Sequence, residues 1–229
     1  ASESIWGSGV ITDDDRLAER VRSLINHCRP SASPMPGVHP SSVFVGLGYN
    51  YRMAEVQGAL AIGQIRKLDR FNKAREDIAN LYRRGLEEVT GIDPPYVAPN
   101  VRHAWYMFVC TVNRDEVRVP LNRLIDAINA EFCVAPGEER VQRAATRGTL
   151  PIYFQPILAE KLGYGRTGCP FTCPIYGREV RYEKGMCPNA ESLYETSLSL
   201  FINHAMSPRD AMDIVRAIRK VSAAYTRGS

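Results

Sequence analysis

The sequence lacks the marks of a membrane protein, a secreted disulfide scaffold or a nucleotide-hydrolysing enzyme. No apolar run in its 229 residues approaches the roughly 20 that a spanning helix needs, and no charged-then-apolar signal segment opens the chain. No membrane partner is expected, and the cytoplasm is the expected compartment. Six cysteines, Cys28, Cys110, Cys133, Cys169, Cys173 and Cys187, are too sparse for a disulfide framework and favour reduced thiols. Gly-x-Ser-x-Gly, Walker-type and Gly-x-Gly-x-x-Gly patterns are missing, which leaves hydrolase, NTPase and Rossmann readings without residues to rest on. An excess of one charge is missing too. The 29 basic residues are offset by 25 acidic ones, and a net charge of +4 is too mild a field to argue for nucleic acid.

With 45% hydrophobic residues the chain can bury a sizeable core. Gly9-Val10-Ile11-Thr12 reads as a short buried strand running into Asp13-Asp14-Asp15. A lone strand must pair with something, so the chain is expected to start inside a larger domain. Leu17, Val21, Leu24 and Ile25 share one helical face over residues 13–28, with Thr12 or Asp13 as N-cap. Residues 29–45, with Pro30, Pro34, Pro36 and Pro40, form a long loop. From Met53 to Val89 apolar residues recur at helical spacing, giving one very long helix or two joined by a bend. Thr90-Gly91-Ile92-Asp93-Pro94-Pro95 stops it and is the expected boundary between domains at 1–89 and 90–229.

In the second domain, residues 105–112 read as a strand and residues 120–132 as a helix with Pro120 in its first turn. Residues 198–202 read as a second strand. Ser207-Pro208-Arg209-Asp210 opens a helix to about Tyr225, with a capping Ser and an acid at N3. Strand, helix, strand and helix in this order imply a small α/β or α+β layer. Residues 163–189 read as an irregular excursion.

Three constellations carry chemistry. Cys169, Cys173 and Cys187 have one thiol too few for a four-ligand zinc site, so no metal is expected. Arg178 and Arg181 alternate with Tyr176 and Tyr182, but Glu179 and Glu183 weaken any field for bases. The third is Gly46-Leu47-Gly48-Tyr49-Asn50-Tyr51-Arg52 ahead of a helix. Free backbone donors, a positive dipole end, an amide and a guanidinium fork together suit an anion such as a phosphate. The Gly46 and Gly48 pair is expected to let backbone come close to that anion. The competing reading has Asn50 capping the helix and Arg52 paired with Glu55.

At these residues the chain resembles the pyridoxal-phosphate-dependent sugar aminotransferases of the DegT/DnrJ/EryC1/StrS type. GVITDDDRLAERVRSLINHC, GLGYNYRMAEVQGALAIGQIRKLDRF and CPNAESLYETSLSLFINHAMSPRDAMDIVRAI are similar to three successive blocks of that family. His103-Ala104-Trp105-Tyr106 adds a fourth point, so the resemblance spans nearly the whole chain. It implies the α/β, fold-type I, aspartate-aminotransferase-like architecture: residues 1–89 as the end of the large cofactor-binding domain with a long connecting helix, and residues 90–229 as a small α/β domain.

The resemblance further implies pyridoxal phosphate as cofactor, held through its phosphate by Asn50 and Arg52 across a homodimer interface with shared active sites. A keto sugar, nucleotide-linked in many family members, would receive its amino group from glutamate or glutamine. Tyr49, His103, Tyr153 and Phe154 would contact substrate, the last two within Tyr153-Phe154-Gln155-Pro156-Ile157, which resembles a substrate-facing turn. Residues 133–149 look like an insertion before it. The family's Schiff-base lysine precedes a glycine pair that Gly7-Ser8-Gly9 replaces here, so its match falls at or before Ala1. The acid facing the pyridine nitrogen and the aromatic stacked on the ring are missing as well. Lys67, Lys73, Lys161, Lys184 and Lys220 lie in the wrong blocks, so no catalytic residue is assigned within the chain. Two alternatives stay open: a non-catalytic partner that lends Asn50 and Arg52 to a lysine-bearing subunit, and the family's cyclitol or aminobenzoate branch.

Overall fold

The computed structural model describes residues 9–132, 143–163, 168–172, 178 and 181–226. The chain divides into two units, residues 1–69 and 70–229. The expected boundary at residue 89 falls further along, beyond the helix that opens the second unit.

In the first unit, helix α1 (Asp15–Ile25) starts one or two residues later than expected. The Asp14 carboxylate, and not Thr12 or Asp13, caps it, accepting from Arg16 N at 2.8 Å and Leu17 N at 3.0 Å. Thr12 has a different task, accepting from Asp14 N at 3.1 Å. Two successive residues of positive φ, His27 and Cys28, both at 58°, turn the chain away at the helix end. The strand expected at residues 9–12 is not formed. Ile11 is fully exposed, and no described residue pairs with this segment. Strand geometry is held by a neighbour's hydrogen bonds, and a short β-branched run alone does not supply one.

A long loop follows as expected, tightened by a 3₁₀ turn at Pro40–Ser42. The long apolar periodicity resolves into two helices, α2 (Glu55–Ile65) and α3 (Leu68–Leu86). Ala54 occupies the cap position of α2, with Gln57 Oε1 reaching back to its N–H at 2.9 Å. No residue of α2 is buried, and Val56, Leu60, Ile62 and Ile65 stand exposed.

The second unit is an antiparallel sheet with helices on it. Its strands are β1 (Ile92–Asp93), β2 (Phe108–Val112), β3 (Ala145–Arg147) and β4 (Ser197–Leu200), in the order β1-β2-β4-β3. Ile92 faces Val112, Phe108 and Cys110 face Leu200 and Leu198, and Ala145 faces Leu200 from the other side. Every pairing among the described residues is antiparallel, so this unit is of the α+β kind. Phe108, Cys110 and Val112 point into the core while Val109 and Thr111 stay exposed.

The core is completed by Tyr82 and Leu86 of α3, Leu121, Leu124 and Ile128 of helix α4 (Leu121–Ala130), and Ile214, Val215 and Ile218 of helix α7 (Pro208–Thr226). Each such side chain contributes about 1.5–3 kcal/mol by leaving water. Gly85 lets α3 and α7 cross closely, since a Cβ there would stand 2.7 Å from Val215 Cγ1.

Several expectations shift at their edges. The strand read over 105–112 begins only at Phe108, because Trp105 takes a φ of 52°. Pro120 is the N-cap of α4, one residue before the first turn. The strand read at 198–202 occupies 197–200. The capping box of α7 forms as read: Asp210 N donates to Ser207 Oγ at 3.2 Å, and Ser207 N to Asp210 Oδ2 at 3.0 Å.

Of the segment read as an insertion, residues 133–142 lie outside the described residues. Its remainder includes β3, an edge strand whose Ala145 backbone is met by the Asn129 side chain at 2.8 and 3.1 Å. Two short helices were not anticipated, α5 (Pro156–Ala159) and α6 (Pro188–Thr196). The described residues between 163 and 187 carry neither helix nor strand.

Candidate functional site

The extended segment Tyr49–Arg52 is sewn to the end of α1. A helix ends with carbonyls that have no partner inside it. Here Leu24 O accepts from Tyr49 N at 2.7 Å and Ile25 O from Tyr51 N at 2.9 Å, while His27 N donates to Tyr49 O at 2.8 Å. Asn26 and Asn50 form an antiparallel bridge.

Gly48 makes this possible. A Cβ on it would lie 2.2 Å from Cys28 N and 2.7 Å from the His27 carbonyl carbon, and one on Gly46 would lie 3.0 Å from Cys28 Sγ. The close approach that Gly48 permits is to the chain's own backbone at the α1 terminus, while Gly46 lies against the Cys28 thiol.

The competing reading of the two polar residues is also corrected. Asn50 caps no helix, because α2 starts later at Glu55. Arg52 makes no ion pair with Glu55 among the described residues; its Nη1 donates to Asn26 Oδ1 at 2.9 Å. Asn26 thus fixes the direction of the guanidinium, a role the sequence did not suggest beyond an Asn standing at a helix end.

Arg52 lines a cleft of about 1080 Å³ within the first unit, together with Arg22, Tyr51, Met53 and Gln57. Two guanidinium groups on one cleft, with the N-terminus of α2 just beyond, make a surface for an anion. Asn50 is exposed. The Tyr49 and Tyr51 rings are exposed and stacked, 4.9 Å apart and 4° from parallel. An amide donor and a fork of guanidinium donors match the acceptor oxygens of a phosphate monoester, so these residues fit the phosphate end of pyridoxal phosphate.

The other expected site residues belong to the second unit, on separate turns. His103 is exposed; its Nδ1 accepts from Trp105 N at 2.9 Å, and its ring leans on the Trp105 indole at 4.1 Å. Tyr153 and Phe154 sit in a 3₁₀ turn, Ile152–Phe154, with their rings 4.5 Å apart. Tyr153 is 5% exposed, and its hydroxyl donates to Glu191 Oε1 at 2.5 Å. Burial, and then the carboxylate beside it, push the Tyr153 phenol up to about 12. The hydrogen bond from Tyr153 and the backbone N–H groups of Gly185 and Cys187 hold Glu191 below the usual carboxylate range.

Glu191 was missed from sequence because the helix that carries it was not recognised. Of the three loop cysteines, Cys173 lies outside the described residues, as does Cys133. Among the described residues no cluster of three or more His, Cys, Asp or Glu is placed to hold a metal.

The whole chain has clear relatives. The family model for the DegT/DnrJ/EryC1/StrS aminotransferase family matches residues 7–135, more than half of the chain. The chain is 31% identical to the erythromycin biosynthesis sensory transduction protein EryC1 of Saccharopolyspora erythraea, over 95% of this chain and 47% of that protein. It is 29% identical to the dTDP-3-amino-3,4,6-trideoxy-alpha-D-glucose transaminase of Streptomyces venezuelae, over 93% of this chain and 45% of that protein. In fold it is similar to the aminotransferase from Psychrobacter cryohalolentis, with a TM-score of 0.68 at 19% identity, covering 94% of this chain and 51% of that one.

The chain thus spans about half the length of the curated relatives it matches. Aminotransferases of this kind are fold-type I enzymes that depend on pyridoxal phosphate. The chain belongs to the DegT/DnrJ/EryC1/StrS aminotransferase family.

Proposed function

We propose that the complete polypeptide transfers an amino group from glutamate or glutamine to a nucleotide-linked keto sugar, acting in the cytoplasm as a homodimer with shared active sites. The name of the Streptomyces venezuelae relative, a transaminase of a dTDP-linked amino sugar, supports the substrate class. The observation that carries the proposal is the Tyr49–Arg52 segment, bonded to the end of α1 with Arg52 steered by Asn26 toward an arginine-lined cleft. Residues 1–89 are assigned to the large domain and residues 90–229 to the small one.

Pyridoxal phosphate, when bound, supplies the electrophilic carbonyl and the electron sink that amino transfer requires. Within this chain, Asn50 donates its amide to a phosphate oxygen and Arg52 sets its charge against the same anion, in the site of the neighbouring subunit. The bonds to α1 keep both from wandering, so less ordering entropy is lost when the cofactor binds. Tyr49, His103 and the Tyr153–Phe154 turn face the substrate.

The test is made on the complete polypeptide. A neutral amide bonded to a charged acceptor contributes on the order of 1.5–3 kcal/mol, so Asn50→Ala should weaken cofactor retention, read by absorbance after dialysis, roughly 10- to 150-fold. Mixing this variant with one that lacks the active lysine should restore part of the activity, because a mixed dimer then holds one intact site. No recovery in verified mixed dimers would remove the cross-subunit assignment. Absence of amino transfer to every nucleotide-linked keto sugar would remove the substrate class.

A further inference from the structure

The Ile152–Phe154 turn presents its residues unequally. Tyr153 is 5% exposed with its hydroxyl engaged, whereas Ile152 is 72% exposed and Phe154 is half-buried. The turn is closed by Phe154 N to Pro151 O at 2.9 Å and Gln155 N to Ile152 O at 3.0 Å. Its root is held from far along the chain. Glu191, in the first turn of α6, receives the Tyr153 hydroxyl, and the same Oε1 accepts from Gly185 N at 2.6 Å. Gly185 has a φ of 91°, a conformation that L side chains rarely adopt. One carboxylate therefore ties together the turn, the approach to α6 and α6 itself. Hydrogen bonds to a charged acceptor are the strong ones, which suits the group to holding a turn.

We infer that Glu191 is a positioning residue: its carboxylate holds Tyr153 inward as the root of the turn, so that Ile152 and Phe154 form the apolar surface offered to the keto-sugar acceptor. This rests on the reading that residues 153–157 face the acceptor, with Ile152 beside them in the same turn. A branched aliphatic group beside an aromatic ring suits the C–H face of a deoxygenated sugar, and neither side chain can satisfy a sugar hydroxyl. Tyr153 acts through its neighbours, and its hydroxyl is spent on Glu191.

The experiment uses the complete polypeptide. Wild-type transfer to a keto sugar is established first, and its absence counts against the proposed function, not against the role of Glu191. In the active enzyme, Glu191→Ala and Tyr153→Phe should each raise the KM for the keto acceptor about 10-fold, with kcat changed less than about 2-fold. The donor half-reaction, followed by cofactor absorbance with amino donor alone, should be unchanged. The double variant should be no worse than Glu191→Ala alone, because that substitution already removes the only bond that Tyr153→Phe removes. Glu191→Gln should recover much of the loss, since its amide oxygen still accepts from Tyr153. Tyr153→Phe keeps the ring and its packing, so it answers the question even if Glu191→Ala fails to fold. An unchanged acceptor KM in Tyr153→Phe, equal damage to both half-reactions, or additive losses in the double variant would each overturn the inference.

Discussion

Gly48→Ala is the substitution that bears most directly on the Asn50 and Arg52 segment. The added Cβ would lie 2.2 Å from Cys28 N, 2.7 Å from the His27 carbonyl carbon and 2.9 Å from Cys28 Cβ. The first two atoms are backbone and cannot rotate away. Restoring ordinary van der Waals separation requires a shift of at least about 1 Å. A displacement of that size carries Tyr49 N to Leu24 O and His27 N to Tyr49 O, now 2.7 and 2.8 Å, past hydrogen-bonding distance. Tyr51 N to Ile25 O, at 2.9 Å, goes with them. At about 1 kcal/mol for each bond the segment should loosen by about 2–3 kcal/mol.

Amide hydrogen exchange measures this locally: protection at His27, Tyr49 and Tyr51 should fall by about 30- to 150-fold. Gly58→Ala is the control. Apart from the adjoining helix backbone, no atom of the described residues lies within 4 Å of its would-be Cβ in α2, so alanine should be neutral there or stabilising by up to about 1 kcal/mol. If Gly48→Ala kept wild-type protection, or if the two variants behaved alike, the account of the segment as held by close backbone contact would be wrong. Under the proposed function, Gly48→Ala should also release pyridoxal phosphate more readily than Gly58→Ala does.

Thiol reactivity should separate Cys187, which is exposed, from Cys110, which is fully buried and whose thiol burial pushes up to about 12. A chromogenic thiol reagent at neutral pH should label Cys187 in the native protein and reach Cys110 only on unfolding, as peptide mapping would show; labelling of native Cys110 would contradict its place under the sheet. The second unit should lose stability in mild acid through His204. Its Nδ1 is buried without a partner among the described residues, its ring stacks on Phe71 at 3.9 Å, and burial together with Arg75 and Arg70 lowers its pKa. A base whose folded pKa is depressed contributes stability above its unfolded value of about 6.5, and that contribution is lost as pH falls through the folded value. Denaturation midpoints measured from pH 7.5 to 5 should therefore decline, and His204→Gln should flatten the decline; an equal slope in the variant would exonerate His204.

Local rules of the chain determined the elements that form by themselves. The face of Leu17, Val21, Leu24 and Ile25 gives α1, the Ser207 and Asp210 box opens α7, and the prolines of residues 29–45 leave only loop. The anion-suited residue types at Asn50 and Arg52 were legible for the same reason, since they are neighbours in sequence. What needed the tertiary structure were relations between distant residues. β1 and β3 are too short to show a period, and they are strands because β2 and β4 offer them edges; the segment at residues 9–12 is a short β-branched run but has no described partner and stays unpaired. The glycines at 46 and 48 announced a close approach, and only packing decided that Gly48 meets the backbone of His27 and Cys28 and Gly46 the Cys28 thiol. Asn26 steering Arg52 and Glu191 holding Tyr153 join residues 26 and 38 positions apart. Periodicity and capping act over a turn or two of chain, whereas such pairs are made by the packing of whole elements, which no local pattern encodes.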